Sequence, residues 1–232
     1  AVASKILAVP HPEVVGIIGC GAQAVAQLHA LSRVRTFDRV LAFDTNLEVA
    51  SSLARRLPID GVRVDVLAAN QLETLMATSD VIITSTSVDP GAGPVLPVAE
   101  TRPWLHINAI GADFPGKTEI PRQILEKAMV CPDCTSQCLA EGECQVLSPS
   151  SLGPDLVQLV KGADRYAAHR SSLTLFDSTG WALEDLVVAE MALEHAERLG
   201  VGCAIDINAM PRDPYDPYQI VLPDRAMGRR SR

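Results

Sequence analysis

Apolar residues fall along this chain in short unbroken runs, separated by longer stretches in which they recur every three or four positions. The runs Val14–Ile18, Val40–Phe43, Val81–Thr84, Leu105–Ile110, Ala128–Val130 and Leu173–Phe176, with the alternating segment Gly61–Leu67, predict β-strands. Helical spacing predicts helices over Ala1–Ala8, Ala24–Val34, Leu47–Arg56, Asn70–Thr78, Ile120–Ala128, Leu152–Lys161 and Trp181–Leu199. Pro10 and Pro12 close the first helix, and the last is expected to be capped through Ser178 or Thr179 and to stop at Gly200. Asp89 to Pro94 reads as a loop, and Pro211 to Pro223 as an extended tail.

Strand and helix thus alternate from Val14 to Val130, and the strands are too continuously apolar for a sheet with one wet face. The expected fold is α/β: a doubly wound parallel sheet with helices on both faces. Ligands of such sheets bind beyond the carboxyl ends of the strands. The Gly19 turn, Asp44, Thr86 and the loop after Ile110 all fall at such ends.

The first strand runs into Gly19-Cys20-Gly21-Ala22-Gln23-Ala24, and Asp44 lies 25 residues past Gly19 at the end of the second apolar run. A strand, a Gly-x-Gly turn, a helix and a strand ending in a carboxylate make a dinucleotide-binding unit. The turn offers backbone N–H groups at a helix N-terminus to a pyrophosphate. Asp44 would accept hydrogen bonds from ribose hydroxyls and repel a 2′-phosphate, which favours NAD over NADP. Ala24 stands where the fingerprint has its third glycine. A tight strand-to-helix turn without a ligand is the plainer alternative.

Composition narrows the partners. The chain has 232 residues, 47% hydrophobic and 21% charged, with a formal net charge of −8, which argues against nucleic acid or an acidic membrane surface. The one basic cluster, Arg225, Arg229, Arg230 and Arg232, reads as a solvated tail. No apolar stretch is long enough to span a bilayer and no signal peptide is visible, so the expected location is the cytoplasm. The chain opens on Ala1 inside a helix without a cap, so a preceding segment is expected.

Gly111-Ala112-Asp113-Phe114-Pro115-Gly116-Lys117-Thr118-Glu119 sets two acids and a cation on a loop at a strand exit. Asp113 stands beside a nicotinamide if its strand neighbours the one leading to Thr86, and could there move a proton as an amine becomes an imine. Lys117 then pairs with the loop or touches the cofactor. Alternatively, Asp113 and Glu119 are turn residues and N-caps and Lys117 is solvated. His106, within an apolar run, reads as a buried structural histidine rather than a catalytic one. His29 reads as packing or surface, and His11, His169 and His195 suggest no partner. Cys131, Cys134, Cys138 and Cys144 follow C-x2-C-x3-C-x5-C, which lacks the paired spacing of structural zinc sites and any intervening histidine. Reduced thiols without metal are expected, with Cys20 and Cys203 as small packing residues.

Taken together, the Gly19–Ala24 turn, His106 to Asp113 with Gly116-Lys117-Thr118-Glu119, Glu141-Gly142-Glu143-Cys144-Gln145, and Phe176 to Gly180 with Glu184-Asp185 resemble the ornithine cyclodeaminase/μ-crystallin family. Within it the chain looks most like the actinobacterial lysine cyclodeaminase branch, which shares Gln27 to Ser32 and Gly93 to Pro97. The resemblance implies an enzyme that holds NAD and recycles it within one turnover, converting L-lysine to L-pipecolate or L-ornithine to L-proline with release of ammonia. It implies Asp113 as proton donor and acceptor, Gly19, Gly21, Ala22 and Gln23 at the pyrophosphate, and Asp44 at the ribose. Thr86, the turn Ile110, Gly111, Ala112 and Asp113, Lys117 and Ser178 would meet the rest of the cofactor, and Thr179 the substrate. Family members carry an amino-terminal substrate domain that supplies carboxylate-binding residues and much of a homodimer interface. The expected division is therefore 1–12 as the end of a linking helix and 13–150 as the dinucleotide domain. Residues 151–210 would complete the fold with helices returning toward the absent domain, and 211–232 would form the tail. A net amino-acid dehydrogenase or ketimine reductase, and a non-catalytic NAD-binding remnant, are the alternatives.

Overall fold

The computed structural model describes residues 1–204. The expected tail from Pro211 and its arginines lie outside the described residues. The chain divides into two units, Ala1–Ala182 and Leu183–Arg232.

In the first unit, helix α1 (Val2–Leu7) precedes the units β1 (Val14–Ile18), α2 (Ala22–Ser32), β2 (Arg39–Phe43), α3 (Leu47–Arg56), β3 (Arg63–Val66), α4 (Leu72–Thr78) and β4 (Val81–Thr84). After a long loop come β5 (His106–Ala109), α5 (Arg122–Leu125), β6 (Met129–Pro132), α6 (Thr135–Glu141), α7 (Leu156–Lys161), α8 (Ala163–Tyr166) and β7 (Thr174–Asp177). Short 3-10 turns lie at 69–71, 143–146, 149–151 and 167–171. The seven strands form one parallel sheet in the order β3-β2-β1-β4-β5-β7-β6. This is the doubly wound α/β architecture that the apolar runs anticipate. The order reverses between β1 and β4, and a crevice opens at that switch point.

Period-two alternation divides the core into two layers. Val15 and Ile17 of β1, Val40 and Ala42 of β2, and Val81 and Ile83 of β4 pack with Leu28 and Leu53 of α2 and α3. Ile18, Leu41, Ile82 and Ile107 point the other way, into a cluster with Leu75, Met76, Leu125 and Cys138. With both faces covered, these strands are buried almost throughout.

Several local expectations need correction. Helix α2 begins at Ala22, two residues before the expected start, because the turn needs only Gly19 to Gly21. The expected Ile120–Ala128 helix shrinks to Arg122–Leu125 behind Pro121, and the N–H groups of Glu119 and Ile120 are taken by the Glu143 carboxyl. Helix α7 starts at Leu156, where Asp155 and Gln158 form a capping box. Helix α6 runs through the cysteine-rich segment, and α8 was not expected.

The second unit begins within helix α9 (Ala182–Leu199), in which no residue is buried and Leu183, Leu186, Val187 and Met191 are exposed. Its end at Gly200 is as expected, with Val201 N–H bonding to Ala196. The hydroxyl of Ser178, one of its two expected caps, donates to Asp133. Cys203, expected as packing, is exposed.

Candidate functional site: the crevice at the strand exits

The turn after β1 is held from several sides. Gly19 has φ +85°, and a Cβ there would lie 2.5 Å from the Ser85 carbonyl oxygen, so only glycine lets the exits of β1 and β4 approach this closely. Gly19 N–H donates to Phe43 (2.9 Å), and Ser85 Oγ donates to the Gly19 carbonyl (2.8 Å). Asp44 takes the Cys20 N–H on one oxygen (2.7 Å) and the Asn46 N–H on the other (2.8 Å). Asn46 then caps α3. Gly21 is the N-cap of α2 and offers no side-chain acceptor to the first helical N–H groups, which lie exposed with Ala22 and Gln23.

Between these exits lies a cavity of about 420 Å³ whose lining includes Gly19, Gly21, Asp44, Ser85, Thr86 and Val95. The structure thus gathers Gly19, Gly21, Asp44 and Thr86 around one space. Ala22, Gln23, Ile110, Gly111, Ala112, Asp113, Lys117, Ser178 and Thr179 are not part of its wall.

Gly111 is nevertheless tied to that wall by Glu119. This fully buried side chain accepts from Thr84 Oγ1 (2.6 Å), Thr86 N–H (2.8 Å), Thr86 Oγ1 (2.7 Å) and Gly111 N–H (2.8 Å). It is neither a turn residue nor an N-cap. A Cβ on Gly111 would collide with this carboxylate. Glu143, also fully buried, takes the backbone N–H groups of Glu119 (2.6 Å) and Ile120 (3.2 Å). Burial, aided by the nearby Asp177 and Glu119, pushes its carboxyl up to about 8. Asp177 takes the Cys144 N–H (2.9 Å), and burial raises its carboxyl to about 6.

Asp113 and Lys117 form an ion pair at 2.6 Å, with the carboxylate side chain 56% exposed and the lysine 17%. β4 and β5 are neighbours, so the Asp113 loop does leave the sheet beside the Thr86 exit. Gln145 braces that loop, accepting from Gly116 N–H and donating to the Lys117 carbonyl, each at 2.8 Å. On the far side of β5, Asp133 receives Ser178 Oγ (2.9 Å) and Gly180 N–H (3.0 Å), and Thr179 Oγ1 stands 4.0 Å from Cys138 Sγ.

His106 is fully buried, with Nδ1 2.9 Å from Thr174 Oγ1. Burial lowers it to about 3, so it stays neutral and serves the core. His29 is exposed, and His195, for which no partner was foreseen, lies 2.6 Å from an Arg198 nitrogen. Cys131 packs with Ile6, Leu7 and Leu159, while Cys138 and Cys144 share a different cluster and Cys138 donates to Asp133 (3.0 Å). Burial raises the Cys20 and Cys131 thiols to about 12. Among the described residues no helix is long and apolar enough to cross a membrane.

Glu119, Glu143, Gln145 and Asp133 are the site residues that sequence reasoning passed over or left undecided. The motif Glu141 to Gln145 was the available signal, because it concentrates polar residues in a segment that proves largely buried.

This geometry has close counterparts. An L-lysine cyclodeaminase of Streptomyces rapamycinicus is 43% identical over 220 residues, covering 95% of this chain and 63% of that protein. A solved lysine cyclodeaminase, described as recognising L-lysine, L-ornithine and L-2,4-diaminobutyric acid, superposes with a TM-score of 0.85 at 46% identity, over 94% of this chain and 62% of that one. The iminosuccinate reductase of Paracoccus denitrificans in complex with NAD+ follows at 0.78 and 31%, over 89% and 63%. The chain therefore spans a little under two thirds of the length of these relatives. The model of the ornithine cyclodeaminase/mu-crystallin family matches residues 1–199, so that the glycine turn, the Asp113 loop and the Glu143 brace all lie within the match, and the chain belongs to that family.

Proposed function

We propose that this chain is the dinucleotide-binding part of an NAD-dependent cyclodeaminase acting on a basic amino acid, L-lysine ahead of L-ornithine. The observation that carries the reading is the crevice in which the Gly19 turn, Asp44 and Thr86 converge at the switch point of the sheet. Its shape suits a dinucleotide. A Cβ at Gly21 would meet nothing within 4 Å, and the first turn of α2 lacks a side-chain cap, so backbone N–H groups are open to a pyrophosphate. Each Asp44 oxygen keeps a lone pair beyond its one backbone bond and can accept from the ribose hydroxyls.

Gly19, Gly21, Ala22, Gln23 and Asp44 would hold the adenylate and pyrophosphate. Thr86, Ile110, Gly111, Ala112, Lys117 and Ser178 would frame the nicotinamide half, and Thr179 would touch the substrate. When bound, NAD supplies an acceptor and then a donor of hydride for the same substrate carbon, leaving no net redox change. Ring closure needs an unprotonated side-chain amine, and departure of ammonia needs a proton on the leaving nitrogen. Asp113 would move those protons, and Lys117, 2.6 Å away, holds its direction. A second copy of the chain as homodimer partner, the division into 13–150 and 151–210, and a reducing cytoplasmic setting suited to six free thiols complete the proposal.

The test is to incubate the protein with catalytic NAD and L-lysine or L-ornithine while following ammonia and NADH together. Ammonia with flat NADH is the expected result. Stoichiometric NADH change would instead make it a dehydrogenase or reductase, the class of the Paracoccus relative.

A further inference from the structure

The glycine turn presents its N–H groups outward only if its carbonyl oxygens are turned elsewhere. Each carbonyl is the negative end of a peptide dipole and would repel an anion. Gly19 O accepts from Ser85 Oγ (2.8 Å). The other two oxygens are taken by one side chain, that of Arg56 at the end of α3. Its Nη2 donates to Cys20 O (2.6 Å), and its Nη1 donates to Gly21 O (3.3 Å). Two further bonds fix the guanidinium, from Nε to Ser52 Oγ (3.0 Å) and from Nη2 to Val49 O (3.1 Å). It makes no ion pair among the described residues. On the amide side, Gly19 N–H and Cys20 N–H are spent on Phe43 O and Asp44.

We propose that Arg56 is a positioning residue for pyrophosphate: it grips the Cys20 and Gly21 carbonyls and so fixes the outward face of the turn. The inference rests on the dinucleotide reading above. Arg56 does not line the crevice, and four of its donor contacts are committed to protein atoms, so it acts through the turn rather than on the ligand. A lysine cannot reproduce this, because one ammonium replaces a planar fork whose separate nitrogens reach separate oxygens.

The test uses the full chain and two probes, ADP-ribose and adenosine, titrated while the amide resonances of Gly21, Ala22 and Gln23 are followed by NMR. These amides are expected to move with ADP-ribose and not with adenosine. Arg56→Met and Arg56→Lys are each expected to raise the Kd for ADP-ribose about tenfold while leaving that for adenosine within about twofold. Arg56 is half-buried at a helix end, and thermal melts check that both variants keep the fold. Full affinity in Arg56→Lys would show that charge alone matters and overturn the positioning role. An unchanged Kd in Arg56→Met, or equal losses for both probes, would also overturn it. Failure of the parent chain to bind ADP-ribose would remove the dinucleotide reading and this inference together.

Discussion

A carboxylate that must give and take protons works best when its direction is fixed and its charge is balanced. Asp113, proposed above for that role, has its ion-pair partner in Lys117, and its side chain is 56% exposed. Asp113→Asn keeps the shape and removes the group that can take up and release a proton. Ammonia release should fall by at least about 100-fold, while dinucleotide affinity, measured by calorimetry, stays near the parent value. Unaltered turnover would take Asp113 out of the reaction. Asp44 is proposed to act earlier, in binding. Asp44→Ala deletes a charged acceptor that also orients the Cys20 N–H, and should weaken NAD by about 1.5–3 kcal/mol. Calorimetry on the variant reads this directly, and equal affinity would place the ribose elsewhere.

At the level of elements, the strand exits are joined by buried carboxylates in series. Glu119 fastens the ends of β4 and β5 together, Glu143 fastens the backbone at Glu119, and Asp177 at the end of β7 fastens Cys144 beside Glu143. Removing the first link leaves four donors without an acceptor, two of them buried and the two of Thr86 part-buried. Glu119→Ala should therefore cost at least about 3 kcal/mol in urea unfolding, and a loss under 1 kcal/mol would mean that water replaces it. The strands were legible in the sequence because burial on both faces writes them as continuous apolar runs. The glycine turn and Asp44 were legible because their spacing is local. Glu119 was not, since its partners at Thr84 and Thr86 lie 35 and 33 residues away and no periodicity encodes them. Helix α6 escaped for another reason: with seven residues, four of them Thr, Ser, Gln and Cys, it shows too little apolar period to register.

For the molecule as a whole, these buried acids set how stability responds to pH. Glu143 titrates near 8 when folded and near 4.5 when unfolded, so the native state keeps a proton that the unfolded chain has released. Its contribution therefore weakens as pH rises from 4.5 to about 8. Asp177 does the same between 3.8 and about 6, whereas His106, lowered from 6.5 to about 3, costs stability as pH falls through that range. Between pH 6.5 and 8 Glu143 acts alone among the three. Thermal melts of the parent should drop across that window, and those of Glu143→Gln should stay level; parallel curves would reassign the titration. The sheet order carries a consequence for biosynthesis. Among the described strands β7 is the last to leave the ribosome, yet it sits between β5 and β6. The crevice strands β1, β2 and β4 are complete once Thr84 has emerged, but until Asp177 follows β5 keeps one unpaired edge and β6 has no partner strand. A nascent chain halted ahead of Leu173 would thus hold a formed crevice beside the open edge of β5 and an unpaired β6, making that pause the moment of greatest need for a chaperone.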